Sequence, residues 1–285
     1  MWAARRTACG RSTMPSSASV RIALACAAAC VSFACVGAAA QGACEKPVYL
    51  TFDTGHMGIA PLVAEVLARQ SVRVTFFVAA ERTLNDGDSL DNQWAAWWKA
   101  RAAEGNEFAS HTYDHAYWRG DERGTEHGAA SSFRIRPSAG ASAGRDLTWN
   151  ATQYCENITK ASDRIAQLTG KKPLPLFRAP GGKTSPKLLA AAESCGFKHV
   201  GWAPAGFLGD ELPSEKFSNQ RLLQQALDGI RPGDILLAHL GIWSRKDPWA
   251  PAVLEPLIVG LKAKGFCFQT LRRHPAYSAW IATHP

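Results

Sequence analysis

Val48-Tyr49-Leu50-Thr51-Phe52-Asp53 is a nearly continuous run of aliphatic, aromatic and β-branched side chains that ends on a carboxylate. A run of this kind, without strict apolar–polar alternation, reads as a strand buried on both faces. Working outward from it, short apolar runs recur at 72–78, 107–109, 174–177, 198–202, 234–238 and 265–270. Between them, apolar residues at three- and four-residue spacing predict helices near 61–70, 90–103, 152–169, 185–195, 218–229 and 251–263. Gly170, Gly196 and Gly265 stand where helices should stop. Strand and helix alternating this often imply an α/β fold: a parallel barrel of about seven strands with helical crossovers. The repeat leaves no second domain, so residues 41–285 read as one unit. Only residues 118–147, rich in Gly, Ser, Ala and Arg and lacking an apolar period, break the rhythm, and a long loop is expected there.

The reactive side chains fall at strand ends. Asp53 follows the first strand and His111 the third; Arg178 follows the fourth, Trp202 ends the fifth and His239 follows the sixth. In a parallel barrel these positions share the C-terminal rim, where loops build active sites. Each has an ordinary alternative. Asp53 is a suitable turn cap, Arg178 a suitable surface residue before Ala179-Pro180-Gly181-Gly182, and His239 a suitable core histidine. His111 and His115, four residues apart, would share one side of a helical turn and could share a metal, a spacing that also arises by chance. All of these alternatives holding on one rim is far less economical than a single active site.

Composition sets the bounds. With 46% hydrophobic and 20% charged residues over 285 positions, the chain is neither disordered nor a multi-span membrane protein. Residues 1–40 hold Arg5, Arg6, Arg11 and Arg21 and no acids, which takes the formal charge from +8 to +4 for the remainder. Lys and Arg are scattered there, so no nucleic-acid surface is expected. Arg21, the apolar run 22–37 and Ala38-Ala39-Ala40 read as a secretory signal peptide over residues 1–40, with Met14 an alternative start. The run is too short and Ala-rich for a membrane span, and a periplasmic or secreted location is expected. Four cysteines remain after it: Cys44, Cys155, Cys195 and Cys267, with no C-x-x-C pair to suggest a thiolate metal site. Cys44 just before the first strand and Cys267 near the start of the last are expected to pair at the bottom rim. Cys155 is expected to stay free.

Thr51-Phe52-Asp53, His111/His115, Arg178-x-Pro180-x-Gly182 and Leu237-x-His239 occur in the order and rough spacing of the NodB-type polysaccharide deacetylases (carbohydrate esterase family 4), which the chain resembles over about residues 46–272. The resemblance implies a distorted (β/α) barrel, a divalent metal such as zinc, and removal of N- or O-acetyl groups from peptidoglycan or another acetylated polysaccharide. It implies Asp53 as general base, His111 and His115 as metal ligands, Arg178 as the residue that orients Asp53, and the Gly181 N–H as an oxyanion donor. His239 would be the acid for the leaving amine, with Trp202 and Leu237 around the acyl methyl.

This chain departs from the family pattern twice. The second of two consecutive Asp residues, normally the third metal ligand, is replaced by Thr54, which leaves either Thr54 or His56 to complete the site. The usual Asp-rich segment near a Trp is also absent, and the first acid after Trp202 is Asp210. Besides an exported deacetylase, two readings stay open: a carbohydrate-binding relic that has lost its metal, and an amidohydrolase of a non-glycan amide. Trp243 and Trp249 are equally placed to stack on sugar rings or to pack under the last helix, whereas Trp94, Trp97 and Trp98 have core-like helical spacing.

Overall fold

All seven expected strands form in the computed structural model, which describes residues 44–122 and 132–284. The signal peptide expected over 1–40 lies outside the described residues. In chain order the parallel strands are β1 (Pro47–Asp53), β2 (Thr75–Val78), β3 (Glu107–Ser110), β7 (Leu176–Phe177), β8 (Lys198–His199), β9 (Ile235–His239) and β10 (Cys267–Phe268). Helices α1 (Ala60–Arg69), α2 (Ala95–Ala103), α3 (Ala151–Thr169), α4 (Pro186–Ser194), α5 (Asn219–Gly229) and α6 (Leu254–Ala263) cross between them, as the sequence predicts. A last helix, α7 (Pro275–Thr283), was not expected. Among the described residues no helix is long and apolar enough to cross a membrane.

The sheet runs β9-β1-β2-β3-β7-β8, and β10 pairs with the first two residues of β1. Between β8 and β9 the ladder is incomplete. The segment 203–208 fills that gap through Ala203 N–H to Ile235 O (3.1 Å) and Leu208 N–H to Leu237 O (3.2 Å), so the barrel is distorted rather than regular. Strand β7 is shorter than its apolar run because Pro173 and Pro175 have no N–H to donate.

Alternation along the strands separates two cores. Val48, Leu50, Phe52, Val74, Phe76, Val78, Phe108, Leu236 and Ala238 turn outward and pack under the helices with Trp98 and Trp249. Tyr49, Phe77, Ala109, Leu176 and Ile235 turn inward and fill the barrel. Helix starts are fixed locally: Asn150 and Gln153 form a capping box on α3, and Ser185 and Ser218 cap α4 and α5.

Two expectations are corrected. Residues 118–147 are not a long loop. Strands β4 (Ala116–Asp121), β5 (Ser132–Pro137) and β6 (Leu147–Asn150) form a three-stranded antiparallel sheet, and its buried Phe133 and Ile135 pack against Tyr154 and Ile158 of α3. Arg134 and Arg136 alternate with them and face solvent, so the strand did carry a period-two signal in an otherwise small-residue stretch. Cys155 is not free either: it is bonded to Cys195, while Cys44 pairs with Cys267 as expected. Cys155 lies one turn into α3 and Cys195 at the end of α4, and the packing of these two helices brings the sulfurs together. The Cys155–Cys195 bridge closes a loop of 40 residues' separation. Removing it by C155S/C195S should cost up to about 4 kcal/mol of unfolding free energy. Urea unfolding of the double variant checks this, and an unchanged midpoint would show that the bridge does not constrain the unfolded chain.

Candidate active site

Strand register assembles the rim. On adjacent strands Thr51 pairs with Leu237 and Asp53 with both His239 and Phe77, so Thr51, Asp53, Phe77, Leu237 and His239 all face the barrel interior. Arg178, directly after β7, crosses this interior with no solvent exposure. Its Nη1 donates to Asp53 Oδ1 (2.7 Å) and Thr51 Oγ1 (2.9 Å), Nε to the Val200 carbonyl (3.2 Å) and Nη2 to the Gly201 carbonyl (3.3 Å). The guanidinium lies over Phe77 at 4.1 Å and Trp202 at 5.6 Å. Burial raises the pKa of Asp53, but Arg178, His111 and His239 outweigh it and hold the carboxyl below its ordinary value.

His239 is shifted the other way. Burial alone would strip its proton, yet Asp210 dominates, with smaller help from Asp53 and Glu211, and the imidazole is pushed up to about 9. Asp210 accepts from the His239 backbone N–H at 2.6 Å and lies 3.1 and 3.2 Å from Nδ1. The carboxylate whose role the sequence left open is therefore the partner that keeps His239 charged at neutral pH.

His111 and His115 converge, though not by helical spacing. The segment between β3 and β4 is a tight turn with left-handed backbone at Thr112 (φ 60°) and His115 (φ 47°), conformations that cost non-glycine residues of order 1–3 kcal/mol each. Asn157 of α3 fastens the turn, accepting from the Asp114 N–H (3.0 Å) and donating to the Asp114 carboxylate (2.7 Å). His111 Nδ1 lies 2.9 Å from the Arg178 carbonyl, which can only accept, so that nitrogen carries the hydrogen. His115 Nδ1 lies 2.5 Å from Ser138 Oγ, whose own proton is directed to the His115 carbonyl. With the hydrogens on both Nδ1 atoms, the Nε2 atoms, 3.2 Å apart, present lone pairs to one another, and in the other His115 tautomer its Nε2–H donates to His111 Nε2; Asp53 Oδ2 lies 3.3 Å from the His111 Nε2. Two facing lone pairs repel unless a cation lies between them, which is the donor chemistry of a divalent metal site with its second-shell acceptors in place. Desolvation also drives His111 down to about 4, so it is a neutral imidazole at physiological pH. Among the described residues, no three His, Cys, Asp or Glu side chains are gathered as a ready cation cage.

A family model described as polysaccharide deacetylase matches residues 40–200, more than half of the chain. This chain belongs to the polysaccharide deacetylase family. A chitooligosaccharide deacetylase of Azorhizobium caulinodans is 25% identical over 237 residues, spanning 80% of this chain and 93% of that protein. Among solved structures, a family 4 acetyl xylan esterase from Clostridium thermocellum, in complex with a cobalt ion, aligns with a TM-score of 0.59 at 22% identity, covering 82% of this chain and 91% of its own. A family 4 pseudoenzyme from Bacillus anthracis aligns at 0.55 and 18% identity, covering 80% and 65%. Likeness at that distance shares the fold, and polysaccharide deacetylase folds therefore house both active and inactive sites.

The remaining positions of the family pattern are distributed as follows. Gly181 (φ 66°) sits in a left-handed turn over Tyr117; an added Cβ would come within 3.0 Å of that ring. Trp202 lies beyond β8, not within it, and covers Gly182 beside Arg178, while Leu237 is buried two residues before His239. His56 does not turn toward His111 and His115: its Nδ1 accepts from the Gly58 N–H at 2.9 Å and its ring packs on Gly241 and meets Trp243 edge-on at 5.1 Å. Thr54 is fully buried, and its hydroxyl accepts from the Ala79 N–H (3.1 Å) and donates to Glu81 Oε2 (2.6 Å). Trp249 is buried, as its helix-packing alternative requires, whereas Trp243 is 61% exposed. Asn157, Ser138 and Glu81 were missed by sequence reasoning because they lie outside every strand-end motif. The His239–Asp210 pair yields a direct test. Folding raises this imidazole, so the pair stabilises the fold fully below the ordinary histidine value and loses that effect as pH rises through about 9. In Asp210→Asn the NMR titration midpoint of His239 should fall by roughly 1–3 units; an unmoved midpoint would assign the charge to another group.

Proposed function

We propose that this chain is an exported, metal-dependent deacetylase that removes N- or O-acetyl groups from an envelope or extracellular glycan such as peptidoglycan. The family supports hydrolysis of carbon–nitrogen or ester bonds in a polysaccharide. One observation carries the reading to this chain: a carboxylate held ionised and an imidazole held charged stand on paired positions of adjacent strands, beside two facing imidazole nitrogens.

A divalent ion, zinc in this reading, would be held by His111 and His115 and would polarise the acyl carbonyl and acidify a water molecule. Asp53 has Oδ1 occupied by Arg178, so Oδ2 accepts the proton of the attacking water. The Gly181 N–H donates to the carbonyl oxygen as it gains charge in the tetrahedral intermediate. His239, ringed by Asp210, gives its proton to the departing amine nitrogen or alkoxide oxygen as the bond to the acyl carbon breaks. Acetate leaves and the sugar retains the proton. Leu237 and Trp202 enclose the acyl methyl. Export is supported by the leader pattern over 1–40 and by two disulfides, which persist in oxidising compartments.

Thr54 favours a second reading, a glycan-binding protein without turnover, because it removes a carboxylate from the family's metal site. Acetate release from a panel of acetylated glycans, with zinc or cobalt supplied, decides between them. The expected result is release from at least one glycan, reduced roughly 10²–10⁴-fold in Asp53→Asn with the fold retained. No release by metal-supplied wild type from any glycan would favour the binding reading. The exposed Trp243, braced by His56 and with Arg82 5.9 Å from its ring, offers a flat face to a sugar ring. Trp243→Ala should raise KM for oligomeric substrates while leaving kcat within a few-fold; a change confined to kcat would remove it from the substrate path.

A further inference from the structure

Strand β4 presents two faces. Ala116 and Trp118 turn to the core shared with α3, while Tyr117 and Arg119, at the alternate positions, turn the other way. The strand is pinned at both ends: the Ala116 N–H donates to Thr112 Oγ1 (2.8 Å), and Asp121 Oδ1 accepts from Ser185 Oγ (2.6 Å) and Trp118 Nε1 (3.1 Å). A side chain carried by a strand held in this way is placed more sharply than one on a loop. The Tyr117 ring meets His115 edge-on at 4.9 Å and lies against Gly181, and the Arg119 guanidinium stands 5.3 Å from its centroid. One ring therefore touches both an imidazole of the pair and the turn that carries the Gly181 N–H, although it belongs to neither sequence motif.

Each glycine of that turn is covered by one aromatic ring, Gly182 by Trp202 and Gly181 by Tyr117. The two rings differ in surroundings. Trp202 packs with the inner core of the barrel, on the side assigned above to the acyl methyl. Tyr117 is half-buried and joins no hydrophobic core. Its Oη has no hydrogen-bond partner among the described residues, and unlike Tyr154 Oη it is not sealed from solvent. An aromatic body against the site with an unengaged hydroxyl at its wet end is the arrangement that meets a polar ligand from one side. We propose that Tyr117 is a specificity-determining residue that contacts the sugar carrying the acyl group, its ring walling the site beside Gly181 and its O–H donating to a sugar oxygen. The inference rests on a glycan being the ligand, which both readings given above share. The small antiparallel sheet then contributes directly to substrate choice, because β4 is the strand that delivers this ring.

The test uses the N-acetylglucosamine tetramer as the glycan probe and 4-nitrophenyl acetate as an acetyl donor without a sugar, with wild type, Tyr117→Phe and Tyr117→Ala. Calorimetric titration of the tetramer into the metal-stripped full chain reads binding without turnover; acetate release from both compounds is then measured with zinc or cobalt supplied. Tyr117→Phe should weaken tetramer binding by about 2–10-fold, the loss of one neutral hydrogen bond. Tyr117→Ala should weaken it by at least about 10-fold, since the ring wall goes as well. Release from the aryl acetate should stay within a few-fold in both variants. Tetramer affinity unchanged in Tyr117→Phe would overturn the contact, whatever Tyr117→Ala does. Equal losses for the tetramer and the aryl acetate would also overturn it, because they would make Tyr117 a brace for the Gly181 turn alone. Wild type that binds no tetramer yet cleaves the aryl ester would overturn the inference and leave a hydrolase. Wild type that binds the tetramer and releases acetate from neither compound, with binding weakened in both variants, would uphold the contact and overturn the deacetylase reading.

Discussion

The buried pair between Arg178 and Asp53 is the constraint on which the rest of the rim depends. An arginine and an aspartate taken out of water recover the desolvation penalty only when nearly every lone pair and N–H is used, and removing one partner typically costs about 3–5 kcal/mol. Here the guanidinium is met by Asp53, Thr51, and the Val200 and Gly201 carbonyls, so the residue spans the barrel from β1 to the segment after β8. The same residue serves the histidines from its other end, because its carbonyl fixes the tautomer of His111. One position thus sets the ionisation of Asp53 and the orientation of His111. A lysine, with a single point charge, cannot reproduce that fork.

Asp53 and His239 are set apart by environment, not by residue type alone. Asp53 and His239 are paired residues on neighbouring strands and both are desolvated, a condition that would by itself neutralise each of them. Arg178 on one side and Asp210 on the other reverse that tendency, so the rim keeps a carboxylate and an imidazolium facing one space at neutral pH. Environments that push neighbouring groups in opposite directions are how one site runs base and acid chemistry together.

The barrel was legible because each buried strand announces itself by composition, and strand ends carry the chemistry whichever loop follows. The same logic placed Asp53, Arg178, His111, His115 and His239 on one rim, where the structure brings them together. What stayed hidden depends on contacts between elements distant in sequence. Ser138 meets His115 only because the small sheet folds back on α3, and its strands were obscured by a Gly-, Ser- and Ala-rich stretch. The Cys155–Cys195 bond reflects the docking of α3 on α4, which no spacing reveals. His56 illustrates the reverse error: an imidazole two residues from Thr54 is close in sequence, but the turn through Gly55 (φ 122°), packed against the Gly241 carbonyl, points it at Trp243.

The small antiparallel sheet has a consequence for how this protein can diverge or be re-engineered. Excursions from a barrel are the segments most freely exchanged between relatives, and grafting one is a common route to a new specificity. Ser138, directly after β5, is the group that holds His115 Nδ1. Any graft that replaces this sheet also replaces the hydroxyl that keeps the histidine's other nitrogen free. Modularity is therefore incomplete here: transplanting the lobe removes the hydrogen-bond partner of His115 along with it, and a successful swap has to bring its own hydroxyl to that place.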